Sequence, residues 1–352
     1  MPNEIFAIVI LVASFGLLMV FRVGIGIAMG MSTALTMWYL QIPLGVLFQG
    51  MVTGTKVFTF MAVPFFILAG EIMSAGGISH RLITMANSLV GWMHGGAAMV
   101  NVVASMFFGG ISGSASADTA SLGPIEIKMM TDQGYPKDFS TALTMASSVQ
   151  GMLIPPSHNM VVYAVTAGSV SIGALFIGGL VPGVFLGLSL MVYSYFVAKR
   201  KKYPVSERFS IMYALKSTYY GLWGLMTIVI IVLGVSGGVM TATESAAIAA
   251  LWAFFVSVFV YRGIKLKEYY NVATRAIKTL SIIMILISVA YSFGWVVTYL
   301  GIPGMITRGL LAITTNKYLI LFMLNIVLLL LGMVMSMSSI ILILTPILVP
   351  VL

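Results

Sequence analysis

The chain has 352 residues, of which 60% are hydrophobic and only 8% charged, and its mean hydropathy is +1.08. A soluble domain carries roughly 25% charged residues, so an aqueous globular fold is excluded and the bilayer is the solvent. The net charge of +9 is gathered in short loops, with Lys199, Arg200, Lys201 and Lys202 in one and Arg262, Lys265, Lys267, Arg275 and Lys278 in another; this positive-inside pattern puts both loops on the cytoplasmic side and argues against a nucleic-acid partner.

The absence of cysteine removes disulfides, thiolate metal sites and cysteine nucleophiles, and His80, His94 and His158 are too scattered for a metal cluster. Residues 1–21 lack a basic n-region and a small-residue cleavage site, and read as a retained first span. Apolar stretches follow at 25–40, 57–75, 97–108, 139–154, 171–197, 217–238, 242–261, 279–300, 318–335 and 338–352, several of them short or broken by glycine. The segments "ISHRLITMANSLVGWMHGG" and "GIKLKEYYNVATRAIK" mix charge with apolar residues at helical spacing, which predicts helices lying along the interface. Two stretches meet at "SGGVMTATE", so the chain is expected to go out and return there.

The most informative segment is "GGISGSASADTASLGP", Gly109 to Pro124, directly after an apolar run. Lipid cannot satisfy a non-helical backbone, so such a break must line a cavity or be packed in protein. The plainer reading is that Gly and Ser allow close helix packing. A similar order of features recurs: Gly76, Gly77, Ile78 and Arg81 precede the first break, while Gly301, Ile302, Pro303 and Arg308 precede "NIVLLLLGMVMSMSS", ending at Pro346. Paired interrupted segments in two halves point to a midplane site of a secondary transporter.

The runs "VPFFILAGEIMSAGGI", "FFGGISGSASADTASLGPI", "GYPKDFSTALTMASS", "IPPS" and "SIGALFIGGLVPGVFLGL" resemble the large membrane subunit of tripartite ATP-independent periplasmic (TRAP) transporters, over most of the chain. The resemblance implies an all-α polytopic fold with inverted repeats (1–210 and 211–352), two re-entrant hairpins and an elevator motion. It further implies sodium-coupled uptake of a carboxylate in the bacterial inner membrane. The expected partners are a small four-helix membrane subunit, a periplasmic substrate-binding protein and membrane lipids.

Sodium needs several oxygen ligands, which unwound carbonyls and hydroxyls supply. Expected sodium ligands are Gly110, Ser112, Gly113 and Asp118 at the first hairpin, with Ser336 and Ser338 at the second; substrate is expected at Ser112, Ser114, Ser116, Ser157 and Asn159. Asp118 is open to two roles, counter-charge to a cation or helix cap. A helix starting near Ser116 would also favour a substrate carboxylate. The prolines of "IPPSHNM" predict a second helix break, where His158 is either a tuner of substrate choice or a hydrogen-bonded helix-end residue. Ser336 stands where the family commonly has an acid, which removes a full charge from the second ion position; Ser339 is expected near the cavity, and Met335 and Met337 as packing. Glu71 is placed against Arg81, Glu244 as a cap with Thr243, and Glu126 and Lys128 at the return of the first hairpin to the interface.

Ser112, Asp118 and His158 also supply the residue types of a serine hydrolase, yet no G-x-S-x-G surrounds Ser112, and no P-loop is present to use ATP. A passive channel is the remaining class, separable by accumulation against a gradient. The run "ILILTPILVPVL" suggests that more of the second hairpin and further helices follow Leu352 in the intact subunit.

Overall fold

The apolar runs become helices, some of whose starts are marked by a small polar residue and others by glycine or proline. The computed structural model describes residues 3–168, 170–203, 210–264 and 268–349; Lys265, Lys267 and residues 350–352 of the last apolar run lie outside the described residues. The chain opens with α1 (Glu4–Val20), α2 (Ile25–Tyr39) and α3 (Leu44–Thr55), then a 3-10 turn at Phe58–Met61 leads into α4 (Ala62–Ala75) and α5 (Ile78–Val90). Shorter, broken helices follow: α6 (Gly96–Ser112), α7 (Ala115–Ser121), α8 (Gly123–Asp132), α9 (Lys137–Ser148), α10 (Gln150–Leu153) and α11 (His158–Ala167). The long helices are α12 (Ile172–Lys201), α13 (Ile211–Ser236), α14 (Ala242–Phe255), extended by a π-helical turn at Val256–Val260, and α15 (Tyr269–Tyr299). The described chain closes with α16 (Ile302–Ile313), α17 (Lys317–Gly332) and α18 (Met337–Leu348), and no strand occurs among the described residues.

Among the described residues, five helices are long and apolar enough to cross a membrane: Phe58–Ala75, Ile172–Lys201, Ile211–Ser236, Ala242–Val260 and Tyr269–Tyr299. With the other apolar helices they make an all-α polytopic membrane protein. Several starts are capped by side chains that accept orphan backbone N–H groups, among them Asn3 from Ile5, Ser171 from Ala174, Ser210 from Tyr213 and Asn316 from Tyr318. At α14 the cap is a reciprocal box, with Thr241 Oγ1 accepting from the Glu244 N–H and Glu244 accepting from the Thr241 N–H at 2.8 Å. Glu244 is thus a cap as expected, but its partner is Thr241 rather than Thr243, because the box puts the acid three residues after the N-cap. The expected interfacial segment before residue 279 is corrected too. From Tyr269 it is the first part of α15, a single helix of 31 residues, roughly 46 Å long at 1.5 Å per residue. That length exceeds a hydrocarbon core of about 30 Å, so the charged end can stay outside it without a break.

The described chain divides into two compact units, each drawing on both sides of residue 210, so the units are a different partition from the expected repeats. One comprises residues 1–60, 162–169 and 279–352. Within it α15 sits against α3: Ser288 donates to the Met51 carbonyl at 3.0 Å and Ser292 to the Leu47 carbonyl at 2.8 Å.

The other unit comprises residues 61–161 and 170–278. Its core is built from Ile72, Met73, Leu82, Val100, Phe108, Leu122 and Val256. Helix α13 turns through Gly237 into α14 and comes back beside it, where Trp252 donates to the Trp223 carbonyl at 3.0 Å and the two indoles stack at 5.8 Å. That is the out-and-back turn expected at "SGGVMTATE". In lipid, apolar burial between helices gives no hydrophobic gain, so packing and cross-helix hydrogen bonds carry association. One such bond joins Ser88 of α5 to Ser217 of α13 at 2.6 Å. On α12, by contrast, Val181, Phe185 and Phe196 are 64–71% exposed, a surface that suits acyl chains. Helix α5 buries Ile78, Leu82, Ile83, Met85 and Ala86 on one face, as its mixed sequence predicts.

Candidate functional site

The first break forms because α6 ends at Ser112 and the chain can turn only through a left-handed residue. Gly113 has φ +62, and its N–H donates to the Gly109 carbonyl at 2.8 Å. Helix α7 then starts from Ser114, whose hydroxyl accepts from the Ala117 N–H at 3.4 Å and meets the Ser116 hydroxyl at 3.0 Å. The second break, Ile154 to Ser157, separates α10 from α11. The two breaks pack directly on each other. A Cβ at Gly113 would lie 2.7 Å from the Pro156 carbonyl oxygen and 3.0 Å from Ser157 Cα, and Ser157 Oγ donates to the Gly113 carbonyl at 3.5 Å. A Cβ on Gly109 would fall 2.5 Å from Gly151 Cα. Gly109 is therefore a packing residue, and for it the plainer reading holds.

Gly110, Ser112, Gly113, Ser114 and Ser157 thus share one locus in one unit, with Ser157 and Asn159 buried, Ser112 and Ser114 half-buried and Ser116 exposed. His158 is the first residue of α11, the helix-end position. Ser336 and Ser338 belong to the other unit. There Ser336 is the N-cap residue of α18, its hydroxyl 2.8 Å from that of the buried Ser339. Met335 is half-buried and Met337 36% exposed. The same unit holds a largely apolar cavity of about 300 Å³, lined among others by Phe60, Thr166, Trp295, Thr298, Leu342 and Pro346. None of the three serines lines it.

One turn beyond the first break lies Asp118, its N–H bonded to the Ser114 carbonyl at 3.0 Å. It is not the cap, since Ser114 takes that role. Its carboxylate is 1% exposed and both oxygens lack a hydrogen bond; the Ser105 hydroxyl faces it without sound hydrogen-bond geometry. Glu126, expected at an interface, is instead fully buried, also unpartnered, and near enough to Asp118 for the two charges to interact. The reason is local: α8 turns Glu126 inward with Met130, four residues on, while Lys128 points outward and is exposed. Glu71 pairs with Arg275 at 3.2 Å rather than with Arg81, which lies over the Tyr261 ring at 3.9 Å and donates to the Gly77 carbonyl at 2.9 Å.

Behind the carboxylates runs a buried polar chain. Ser105 meets Ser147 at 3.1 Å, Ser147 donates to Asn101 Oδ1 at 2.8 Å, and Asn101 Nδ2 donates to Thr144 Oγ1 at 2.6 Å. Sequence reasoning passed over these residues. The signal was available, because Asn101 and Ser105 are one turn apart on α6, and Thr144 and Ser147 one turn apart on α9. Each pair makes a polar stripe on an otherwise apolar or small-residue face, and the two stripes meet. Buried ionised carboxylates are costly unless a cation or proton joins them. The chemistry available is therefore cation capture among carboxylate, hydroxyl and carbonyl oxygens beside two helix breaks.

A family model described as the DctM component of the tripartite ATP-independent periplasmic transporter matches residues 12–352. The chain belongs to this family. Among relatives of this TRAP family, the C4-dicarboxylate large permease DctM of Pseudomonas aeruginosa is 43% identical over 294 residues, covering 84% of this chain and 69% of the relative. The sialic acid large permease SiaM of Vibrio cholerae is 39% identical over 303 residues, 86% of this chain and 71% of that protein. The isethionate permease protein DctMQ of Oleidesulfovibrio alaskensis is 39% identical over 345 residues, covering 97% of this chain; the chain spans 54% of that relative's length. Membership and the long apolar helices together make this a multi-pass inner-membrane protein of a transporter family and set aside the hydrolase reading. The Gly109–Asp118 break belongs to the matched region, as do Ser157 and Ser336.

Proposed function

We propose that the chain is the large membrane component of a secondary transporter that takes up a small carboxylate with sodium. The observation that carries the reading is the unpartnered, buried carboxylate of Asp118 one turn from two helix breaks that meet at Gly113 and Ser157. In this reading sodium is held by oxygens of Gly110, Ser112, Gly113 and Asp118, and the substrate acid approaches Ser112, Ser114, Ser116, Ser157 and Asn159. Ser336 and Ser338 serve a second ion position, without the charge of an acid. The Gly109–Pro124 break and the segment from Gly332 to Pro346 act as the re-entrant hairpin tips of two inverted repeats, 1–210 and 211–352, and an elevator motion carries the site across. Delivery by a periplasmic substrate-binding protein and assembly with a small four-helix membrane subunit complete the system.

The names of relatives support a carboxylate, since C4-dicarboxylates, sialic acid and 2,3-diketo-L-gulonate are all acids of that type, whereas isethionate is a sulfonate. The test is uptake by vesicles containing all subunits and the binding protein. Accumulation of a carboxylate only under an inward sodium gradient is expected; equal uptake with potassium replacing sodium refutes the coupling, and accumulation of isethionate alone refutes the substrate class.

A further inference from the structure

We propose that a cleft between α5 and α13 binds the phosphodiester headgroup of an anionic phospholipid. The cleft has a volume of about 390 Å³ and is lined by Arg81, Thr84, Tyr213, Lys216, Ser217 and Tyr220. Two of these six side chains are cationic and none is acidic. Arg81 is held in place: its guanidinium lies 3.9 Å from the Tyr261 ring centroid and donates to the carbonyls of Gly77 at 2.9 Å and Tyr261 at 3.4 Å. A guanidinium has five N–H donors in a rigid fork that matches phosphate oxygens. The carbonyl bonds orient that fork without neutralising it, and the one ion pair among the described residues, Glu71 with Arg275, lies elsewhere. Lys216 is exposed and adds a mobile second cation.

The surroundings select a lipid over a dissolved anion. Beside Lys216 on α13, Met212, Leu215 and Tyr219 are 59–76% exposed, so acyl-chain surface begins within one turn of the charge. Tyr213 and Tyr220 add amphipathic rings suited to the headgroup level. Helix α12, which precedes α13, ends in Lys199, Arg200 and Lys201, and such basic clusters next to a span attract anionic headgroups. This inference is independent of the transport reading and survives its failure.

The experiment measures lipid binding to the purified full chain by native mass spectrometry and by thermal shift. Phosphatidylglycerol is expected to bind and raise the melting midpoint, phosphatidylcholine to do neither, and inorganic phosphate at millimolar concentration to give no shift. Lys216→Glu should weaken phosphatidylglycerol binding by at least roughly fivefold, the worth of about one basic residue near a membrane surface. Lys216 is exposed, so this variant tests the site even where Arg81→Ala fails to fold, and Arg308→Glu, in the other unit, should leave binding unchanged. Equal binding of both lipids, wild-type affinity in Lys216→Glu, or a response to free phosphate matching that to lipid would each overturn the proposal. So would a photocrosslinker at Lys216 that, in native membranes, captures an acidic protein segment and no lipid.

Discussion

At the residue scale two positions carry the site's logic, Gly113 for its backbone and Asp118 for its charge. An L-residue in the left-handed region costs about 1 to 2 kcal/mol, before any contact is counted. At Gly113 a methyl would also press on the Pro156 carbonyl and Ser157. Gly113→Ala is therefore expected to lower stability in detergent by more than the strain alone, and a melting midpoint equal to wild type would show that the two breaks separate easily. Asp118→Asn removes a buried charge that has no partner, so without sodium its stability should match or exceed wild type. Sodium should raise the wild-type midpoint above that in potassium, since a ligand that binds only the folded state stabilises it. In Asp118→Asn at least half of that gain should disappear; an undiminished sodium shift would move the ion away from Asp118.

At the element scale, helix ends decide where the polar groups go. Helix α14 starts from a complete capping box, and Thr241→Ala should cost about 1 kcal/mol, the usual worth of an N-cap side chain. Thermal unfolding, together with faster amide exchange in the first turn of α14, checks this; unchanged exchange there would mean that packing alone holds the helix start. Helices α2 and α13 follow from long apolar runs with clear polar boundaries, and the broken α6–α7 pair follows from the density of Gly and Ser. The segment before residue 279 misled, because its charges suggested a surface helix while nothing in it stops α15. Glu126 misled for the opposite reason: a charge near the end of the first hairpin reads as its return to the interface, but its position four residues from Met130 puts it on the buried face of α8.

At the scale of the whole molecule, the candidate cation site lies within a single unit, so its response to sodium should be local. Replacing sodium with potassium at constant ionic strength is expected to speed hydrogen exchange in α6, α7 and α10 while α1 and α2, in the other unit, stay unchanged. Uniform change across all helices would show that sodium acts on global stability and not on this locus. The sequence by itself determined the membrane setting, the all-α class, the family and the first break. Each of those rests on composition or on neighbours along the chain, and such information is local. Only the tertiary structure decided that Gly113 abuts Ser157 and that Glu71 pairs with Arg275 in place of Arg81. It also brought Asn101 and Ser105 of α6 against Thr144 and Ser147 of α9. Those are meetings of residues far apart in the chain, and they depend on which face each helix turns toward its neighbour. A helical period narrows that choice, but only packing in three dimensions makes it.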